Sequence, residues 1–325
     1  MQSIVWLEDI GAADADLAGD KAAGLGEVMA AGFPVPTGFV VTADAYREAV
    51  ANAGIAGVLA TAIDRRADMA ACSAYLQGLV RKADVPAGVH RALAAAYHRL
   101  AMQLSEVDPP VVVRTSVVGE DVSFAGTAAP VRNVKGIAGL VDAVELCWAA
   151  LFNERALIGR ASGDVGHEPA MAVIVQPQLS VVRSGTAFTV DPVRERDDLV
   201  LINARFGEDE TKMAGRVACD TYLVSRETSE VVESRIGEKV DEVVAGPRRP
   251  VTVTLEGRRY PRVLSDSEAT RIAALSLAIE GHSSHPQQVD WCLGSAGAVY
   301  VVQAGPIGRH RVRWAGRPEP VAKTD

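Results

Sequence analysis

An apolar run that changes abruptly into a polar loop constrains this chain more than any other stretch. Residues 111–126 begin with Val-Val-Val, which is typical of a buried strand, and continue through Arg114 into hydroxyls, a Gly and the acidic pair Glu120 and Asp121. A strand that ends in an Arg and a polar loop can present charge to a ligand. Arg suits a polyphosphate because its planar guanidinium donates two hydrogen bonds and stays charged. An Arg that merely pairs with Glu120 or Asp121 at a strand end is the open alternative.

The net charge and the cysteine pattern limit the classes of partner. A formal charge of -8 over 325 residues repels polyanions, so we expect neither nucleic acid nor an anionic membrane as a partner, and any phosphate site must be a local basic pocket. We find no signal-peptide pattern near the N-terminus and no apolar run of membrane-spanning length. The four Cys residues are scattered without a Cys-x-x-Cys pair, which is typical of free thiols in a reducing compartment. We therefore expect a cytoplasmic protein.

Lys21 is a second candidate cation. It lies in the Gly/Ala-rich stretch 19–27, just before a predicted helix that runs to about Ala31. At a helix start its ammonium would stand beside backbone N–H groups that also favour anions. The spacing is not that of a Walker A loop. A solvated surface lysine is the alternative.

The predicted secondary structure changes near residue 180. Before it, the chain is largely helical, with a core stripe from Val89 to Leu104 and one long helix predicted over 140–160. After it, short strands are predicted at 186–190, 198–203, 222–224, 251–255 and 299–303. We predict an α/β (α+β) chain with a first lobe at 1–180, a second lobe at 181–310 and a flexible basic tail at 311–325.

Several motifs, in order, resemble the ATP-binding domain shared by phosphoenolpyruvate synthase, pyruvate phosphate dikinase and rifampicin phosphotransferase. Each is weak alone, and together they run through almost the whole chain. They are Lys-Ala-Ala-Gly-Leu-Gly-Glu (21–27), Gly-Phe-Pro-Val-Pro-Thr-Gly-Phe-Val-Val-Thr (32–42), Val-Arg-Thr-Ser (113–116), Cys-Trp-Ala-Ala-Leu-Phe (147–152), Ser-Gly-Thr-Ala-Phe-Thr-Val-Asp-Pro (184–192), Pro-Gln-Gln-Val-Asp-Trp (286–291) and Val-Gln-Ala-Gly-Pro (302–306). The resemblance implies a two-lobed, ATP-grasp-like fold.

The resemblance also implies site residues and cofactors, namely ATP and Mg²⁺. Lys21 and Arg114 would hold the triphosphate and act in catalysis. Asp290, where the family usually has Glu, and Gln303 would bind Mg²⁺ with oxygen ligands, and Gln303 would also face the nucleotide. The adenine pocket would be lined by Gln176, Pro177 and Leu179, and Glu210 would approach the ribose or the metal. Without the resemblance, Asp290 reads as a structural carboxylate at a strand edge.

Departures from the family pattern leave the activity open. Gly305 stands where the family has an Arg expected to contact the transferred phosphate, and Asp20 stands where Gly is usual. Arg309 is near enough in the sequence to substitute for the missing cation. None of the six His residues lies in the family's phosphohistidine motif.

Three hypotheses follow. The chain is a phosphotransferase component that phosphorylates a histidine on a partner domain or protein; or it is a stand-alone ATP-dependent kinase or ligase with a small acceptor; or it is a nucleotide-binding pseudoenzyme or regulator. The nucleotide product distinguishes them, since AMP supports the first and ADP the second. Binding without turnover supports the third.

Overall fold

The computed structural model describes residues 2–52, 68–83, 85–119, 129–161, 170–207, 219–237, 241–244, 251–254 and 261–307. Glu120, Asp121, Glu210, Arg309 and the predicted tail lie outside these ranges. The chain divides into two compact units. The first comprises Met1–Val182, Val244–Val251 and Cys292–Ala304, and the second comprises Arg183–Val243, Thr252–Trp291 and Gly305–Asp325. The two predicted ATP-grasp-like lobes stay a prediction.

The first unit contains a five-stranded antiparallel sheet. Its strand order is β1-β2-β5-β3-β4, and every neighbouring pair is antiparallel. The strands are β1 (Ile4–Trp6), β2 (Phe39–Val41), β3 (Val111–Val117), β4 (Val131–Val134) and β5 (Met171–Pro177). The central strand β5 is buried from Met171 to Gln176, as its continuous apolar run predicts. In β3, Val111 and Val113 face the core, while Arg114 is half-buried.

Helices cover this sheet. The described helices of the first unit are α1 (Ala15–Ala30), α2 (Ala43–Asn52), α3 (Met69–Lys82), α4 (Ala87–Leu104), α5 (Gly136–Ala149) and α6 (Glu154–Ala161). The Thr42 hydroxyl accepts the Ala45 N–H at 3.3 Å, so Thr42 caps α2. The predicted stripe of α4 is confirmed, because Val89, Leu93 and Leu100 are fully buried.

The prediction of one long helix over 140–160 was wrong. A turn of 3-10 helix, Ala150–Phe152, follows α5, and Asn153 then takes an extended conformation at ψ 157°. The Asn153 side-chain oxygen accepts the Ala156 N–H at 2.9 Å and so caps α6. The apolar run continues across Asn153, so hydropathy alone predicts one helix where the structure has two.

The segment Gly136–Ile158 has the length and composition of a membrane span, with a mean hydropathy of 1.4. By length and mean hydropathy, the expectation that no apolar run is long enough to span a membrane was therefore wrong. Leu140, Val144 and Trp148 of this segment lie in the core of the first unit. Because the core helix of a folded domain has the same composition, the segment is weak evidence for a membrane.

A six-stranded sheet has the strand order β13-β12-β6-β7-β8-β9; β7, β8 and β9 belong wholly to the second unit, whereas β13 belongs to the first unit up to Ala304. The pairs β6–β7, β7–β8 and β8–β9 are antiparallel. The strands are β6 (Val181–Phe188), β7 (Leu199–Phe206), β8 (Asp220–Ser225), β9 (Val231–Arg235), β12 (Gln287–Gly294) and β13 (Val299–Pro306), while β10 (Asp241–Val244) and β11 (Val251–Thr254) form a separate pair. Helix α7 (Asp266–Ser283) starts with a capping box between Ser265 and Glu268. The predicted mixture of helices and sheets is confirmed.

Candidate functional site

Helix α1 is interrupted at Gly19, two residues before Lys21. Gly19 has φ 75° and ψ 159°, a conformation that side-chain-bearing residues rarely adopt. The helical segment that carries Lys21 therefore starts after Gly19, and Lys21 is half-buried in its first turn. The structure thus has Lys21 at a helix start, as expected. Its role as a phosphate ligand stays a prediction.

Strand β3 lies directly against this helix start. The Ser116 hydroxyl accepts the Ala22 N–H at 3.0 Å, and Ser116 is fully buried. A Cβ atom built on Gly19 would lie 2.3 Å from the Ser116 carbonyl oxygen and 2.4 Å from its hydroxyl oxygen. Only a glycine therefore permits this approach of the two backbones.

Arg114 belongs to the same strand, two residues before Ser116. Side chains at i and i+2 of a strand share a face, so Arg114 and Ser116 lie on the same side of β3. One guanidinium nitrogen of Arg114 donates a hydrogen bond to the Val302 carbonyl oxygen. Val302 precedes Gln303 in β13, so Arg114 is tied to the strand that carries another predicted site residue.

Strand β13 also approaches helix α1. A Cβ atom on Gly24 would lie 3.1 Å from the Ala304 carbonyl oxygen, and the Val301 N–H donates to the Pro34 carbonyl oxygen at 2.9 Å. Three separate segments of the first unit, which carry Lys21, Arg114 and Gln303, are therefore in mutual contact. A site shared by all three residues requires such contacts between segments, and the site itself stays a prediction.

The predicted purine-lining residues lie at the end of β5. The buried side-chain amide of Gln176 donates to the Pro36 carbonyl oxygen at 2.8 Å. Its backbone lies opposite Val112 of β3 in the sheet register. Pro177 and Leu179 are half-buried. The Gln176 side chain thus has a structural partner, so we expect contacts of this segment with a ligand to come from its backbone.

Asp290 belongs to the second unit. It is 6% exposed, and its Oδ1 atom accepts hydrogen bonds from the Thr186 hydroxyl at 2.8 Å and the Gln288 side-chain amide at 3.3 Å. These bonds fix the orientation of the carboxylate. Oxygen ligands of this kind suit Mg²⁺, so Asp290 fits the predicted metal by its chemistry. Among the described residues, no group of three or more His, Cys, Asp or Glu could hold a metal ion.

Comparison with known proteins assigns the family. Residues 15–321 match the model of the family described as the pyruvate phosphate dikinase AMP/ATP-binding domain. The chain belongs to this family. The resemblance inferred from the ordered motifs is therefore confirmed.

Curated relatives of this AMP/ATP-binding domain are named phosphoenolpyruvate synthases. A probable phosphoenolpyruvate synthase of Methanocaldococcus jannaschii is 34% identical over 94% of this chain and 27% of its own length. The phosphoenolpyruvate synthase of Aeropyrum pernix is 33% identical over 89% of this chain and 40% of its own length. A probable phosphoenolpyruvate synthase of Methanothermobacter thermautotrophicus is 32% identical over 94% of this chain and 46% of its own length. The chain thus spans between about a quarter and a half of the length of these relatives.

Solved structures of ligases align weakly with this domain. The D-alanine-D-alanine ligase from Coxiella burnetii has a TM-score of 0.34 at 11% identity, over 88% of this chain and 47% of that chain. The D-cycloserine synthetase DcsG has a TM-score of 0.30 at 13% identity, over 75% and 72%.

Two residues, one in each unit, were not singled out from the sequence for the roles they have. Ser116 holds the helix start of α1, and Thr186 orients Asp290. The alternation of β3 could have indicated that Ser116 shares a face with Arg114. The partner of Ser116 could not be inferred, because Ala22 is 94 residues away.

Position 305 of the domain is open. Among the described residues, no atom lies within 4 Å of a Cβ atom built on Gly305. Packing therefore does not explain why Gly305 replaces the family's Arg, and the replacement removes a positive charge.

Proposed function

We propose that this chain binds Mg-ATP and phosphorylates a histidine on a partner domain or protein. Membership of the AMP/ATP-binding domain family over residues 15–321 is the observation that carries the proposal. The contacts among the segments of Lys21, Arg114 and Gln303 support it, since a triphosphate needs several donors at one place. ATP, water and the histidine would give AMP, phosphate and phosphohistidine, and with phosphate in place of water they would give AMP, pyrophosphate and phosphohistidine.

Each predicted residue has a proposed role. Lys21 and Arg114 neutralise the phosphate oxygens as the bond to the leaving group breaks. Bound Mg²⁺ supplies further positive charge on those oxygens, and Asp290 and Gln303 are its proposed ligands. The remaining contacts are purine contacts by Gln176, Pro177 and Leu179, and a ribose or metal contact by Glu210.

The partner is proposed from the relatives. They are phosphoenolpyruvate synthases, and they are longer than the segment that this chain matches. An acceptor histidine would lie in a separate domain or chain, in the cytoplasm. None of the six histidines of this chain lies in the family's phosphohistidine motif.

Arg114 gives the sharpest test of the nucleotide site. Replacing it by Ala removes charge-assisted hydrogen bonds, so the Kd for Mg-ATP in calorimetry should rise by about 10- to 100-fold. Arg91, which is exposed on α4, is the matched control, and Arg91→Ala should bind as the parent does. Equal affinity of the parent and a folded Arg114→Ala variant would reject the site.

The nucleotide product tests the reaction. With a phosphohistidine-domain protein added, we expect AMP to form from ATP, together with an acid-labile phosphoryl group on the added protein. ADP as the product would instead indicate a stand-alone kinase or ligase with a small acceptor.

Gly305 favours a second candidate, a nucleotide-binding pseudoenzyme or regulator. The chain then binds ATP without turnover, because an Arg missing at the transferred phosphate costs about 10²-fold or more in rate. A Cβ atom at position 305 has no close contact with the residues that the structure describes. We expect Gly305→Arg to gain phosphoryl transfer at unchanged stability. A catalytically active parent would exclude the pseudoenzyme, whatever the variant does.

A further inference from the structure

The helix start beside Lys21 has no cap of its own. The first N–H groups of a helix lack intrahelical acceptors, and a Ser, Thr, Asp or Asn side chain before the helix usually supplies one. Here that position is Gly19, which has no side chain. Counting Gly19 as the cap, Lys21 is the second residue of the helix and Ala22 the third.

Ser116 supplies the missing cap from another strand. A capping oxygen normally accepts the N–H of the second or third helical residue. The Ser116 hydroxyl accepts the N–H of the third, Ala22, at 3.0 Å. Gly19 makes this possible, because any Cβ there would occupy the place of the Ser116 oxygens. Gly19 therefore occupies the cap position in the backbone, while Ser116 of β3 supplies the capping oxygen. In most helices one residue does both.

We propose that Ser116 is a positioning residue that fixes Lys21 relative to Arg114. Ser116 lies on the same face of β3 as Arg114, two residues away, and its hydroxyl holds the backbone one residue after Lys21. The Ser116–Ala22 hydrogen bond thus sets the separation of the two cations. It does so without Ser116 touching the ligand.

The inference rests on the proposed function, since spacing matters only if both cations bind one triphosphate. Small displacements of ligand-holding groups lower binding and rate steeply. Loss of the hydroxyl should therefore reduce nucleotide affinity through Lys21, and not only reduce stability.

Ser116→Ala tests this in a double-mutant cycle with Lys21→Ala, read by the Kd for Mg-ATP. We expect Ser116→Ala to weaken binding roughly tenfold in the parent, and by less than about twofold when Lys21 is already Ala. Ser73→Ala is the matched control, because it also removes a buried hydroxyl in the first unit, one that accepts from the Gln77 amide at 2.9 Å. This control should leave the affinity unchanged.

Other outcomes overturn the inference. A lower thermal stability with unchanged affinity would make Ser116 purely structural, and an equal loss in both backgrounds would show that the effect does not run through Lys21. If Ser116→Ala does not fold, Ser116→Cys replaces it in the cycle, since its sulfur is a weak acceptor of similar size. Failure of both to fold would make Ser116 a folding residue. Unchanged affinity in Arg114→Ala would instead reject the nucleotide site itself.

Discussion

Gly19 is a position in the candidate site where the structure leaves no room for a side chain. It combines a positive φ with a backbone approach that leaves no room for a Cβ atom. Gly32 also has a positive φ, of 83°, but among the described residues nothing lies within 4 Å of a Cβ atom built there. Gly32 therefore gives the cost of a positive φ without a close contact, whereas Gly19 has both.

We predict that Gly19→Ala destabilises the chain far more than Gly32→Ala. The Gly32 change should cost about 1–2 kcal/mol from conformation alone. The Gly19 change should cost roughly 2–3 kcal/mol more, because the Ser116 oxygens must move. Urea unfolding of both variants measures the difference. Equal losses would show that the close approach to Ser116 does not exist in solution.

Local chemistry predicted residues well where the partner is close in sequence. Thr is a common N-cap residue, and the Thr42 hydroxyl accepts the N–H of Ala45, three residues ahead. The Ser116 hydroxyl also caps a helix, but its partner Ala22 lies 94 residues earlier in the chain. The sequence around Ser116 therefore gives no sign of this role. Arg114 was singled out as a charged strand end, while its bond to the Val302 carbonyl depends on tertiary packing.

At the level of elements, a hydrogen-bonded network joins α4 to α5. The Tyr97 hydroxyl of α4 donates to the Asp108 carboxylate at 2.5 Å, and the Gly136 N–H at the start of α5 donates to the same carboxylate at 2.8 Å. The hydrogen bonds from Tyr97 and Gly136 hold the pKa of Asp108 below its usual value. Burial, and then the bond to Asp108, raise the pKa of Tyr97 to about 12.

We predict a specific loss of stability at high pH from Tyr97. Its pKa in the folded chain lies above the ordinary value of 10.0, so its contribution is complete below pH 10 and is lost as the pH rises towards 12. Tyr97→Phe should lower the free energy of unfolding by about 1 kcal/mol at pH 7. The difference between parent and variant should shrink above pH 10 in denaturant titrations.

Tyr75 provides the control for Tyr97. It is 59% exposed on α3, so Tyr75→Phe should change the free energy of unfolding by less than about 0.5 kcal/mol. A parent–variant difference for Tyr97 that stays constant up to pH 12 would contradict the network.

Elements were predicted best where periodicity runs uninterrupted. The stripe from Val89 to Leu104 predicted the buried face of α4 correctly. The helix predicted over 140–160 failed because hydropathy continues across Asn153, whereas the backbone does not. A single polar residue that caps a new helix is a weak signal within an apolar run.

For the whole molecule, a chain of net charge -8 must bind a polyanion through local groups. The segments that carry Lys21 and Arg114 are in contact in the first unit. From the sequence, only the family resemblance indicated that these two segments belong together. Composition alone excluded classes of partner. It did not indicate where two cations would meet.

We predict that Mg-ATP raises the melting temperature of the full chain. A ligand at 100 times its Kd stabilises the folded state by about 2.7 kcal/mol, which corresponds to a shift on the order of 5 °C. ATP with EDTA should give a smaller shift, because the charge of the proposed Asp290 and Gln303 metal is then absent. Scanning fluorimetry measures both, with MgCl₂ alone as the control. An identical shift with and without Mg²⁺ would count against a metal at these residues.

The bond between Arg114 and the Val302 carbonyl spans 188 residues of sequence. During synthesis on the ribosome, the strand with the guanidinium emerges long before its acceptor has been made. A nascent chain that stops before β13 can form α1 and β3, yet it lacks the last segment of the region around them. Competence to bind ligand should therefore appear only after β13 has emerged from the ribosome and docked.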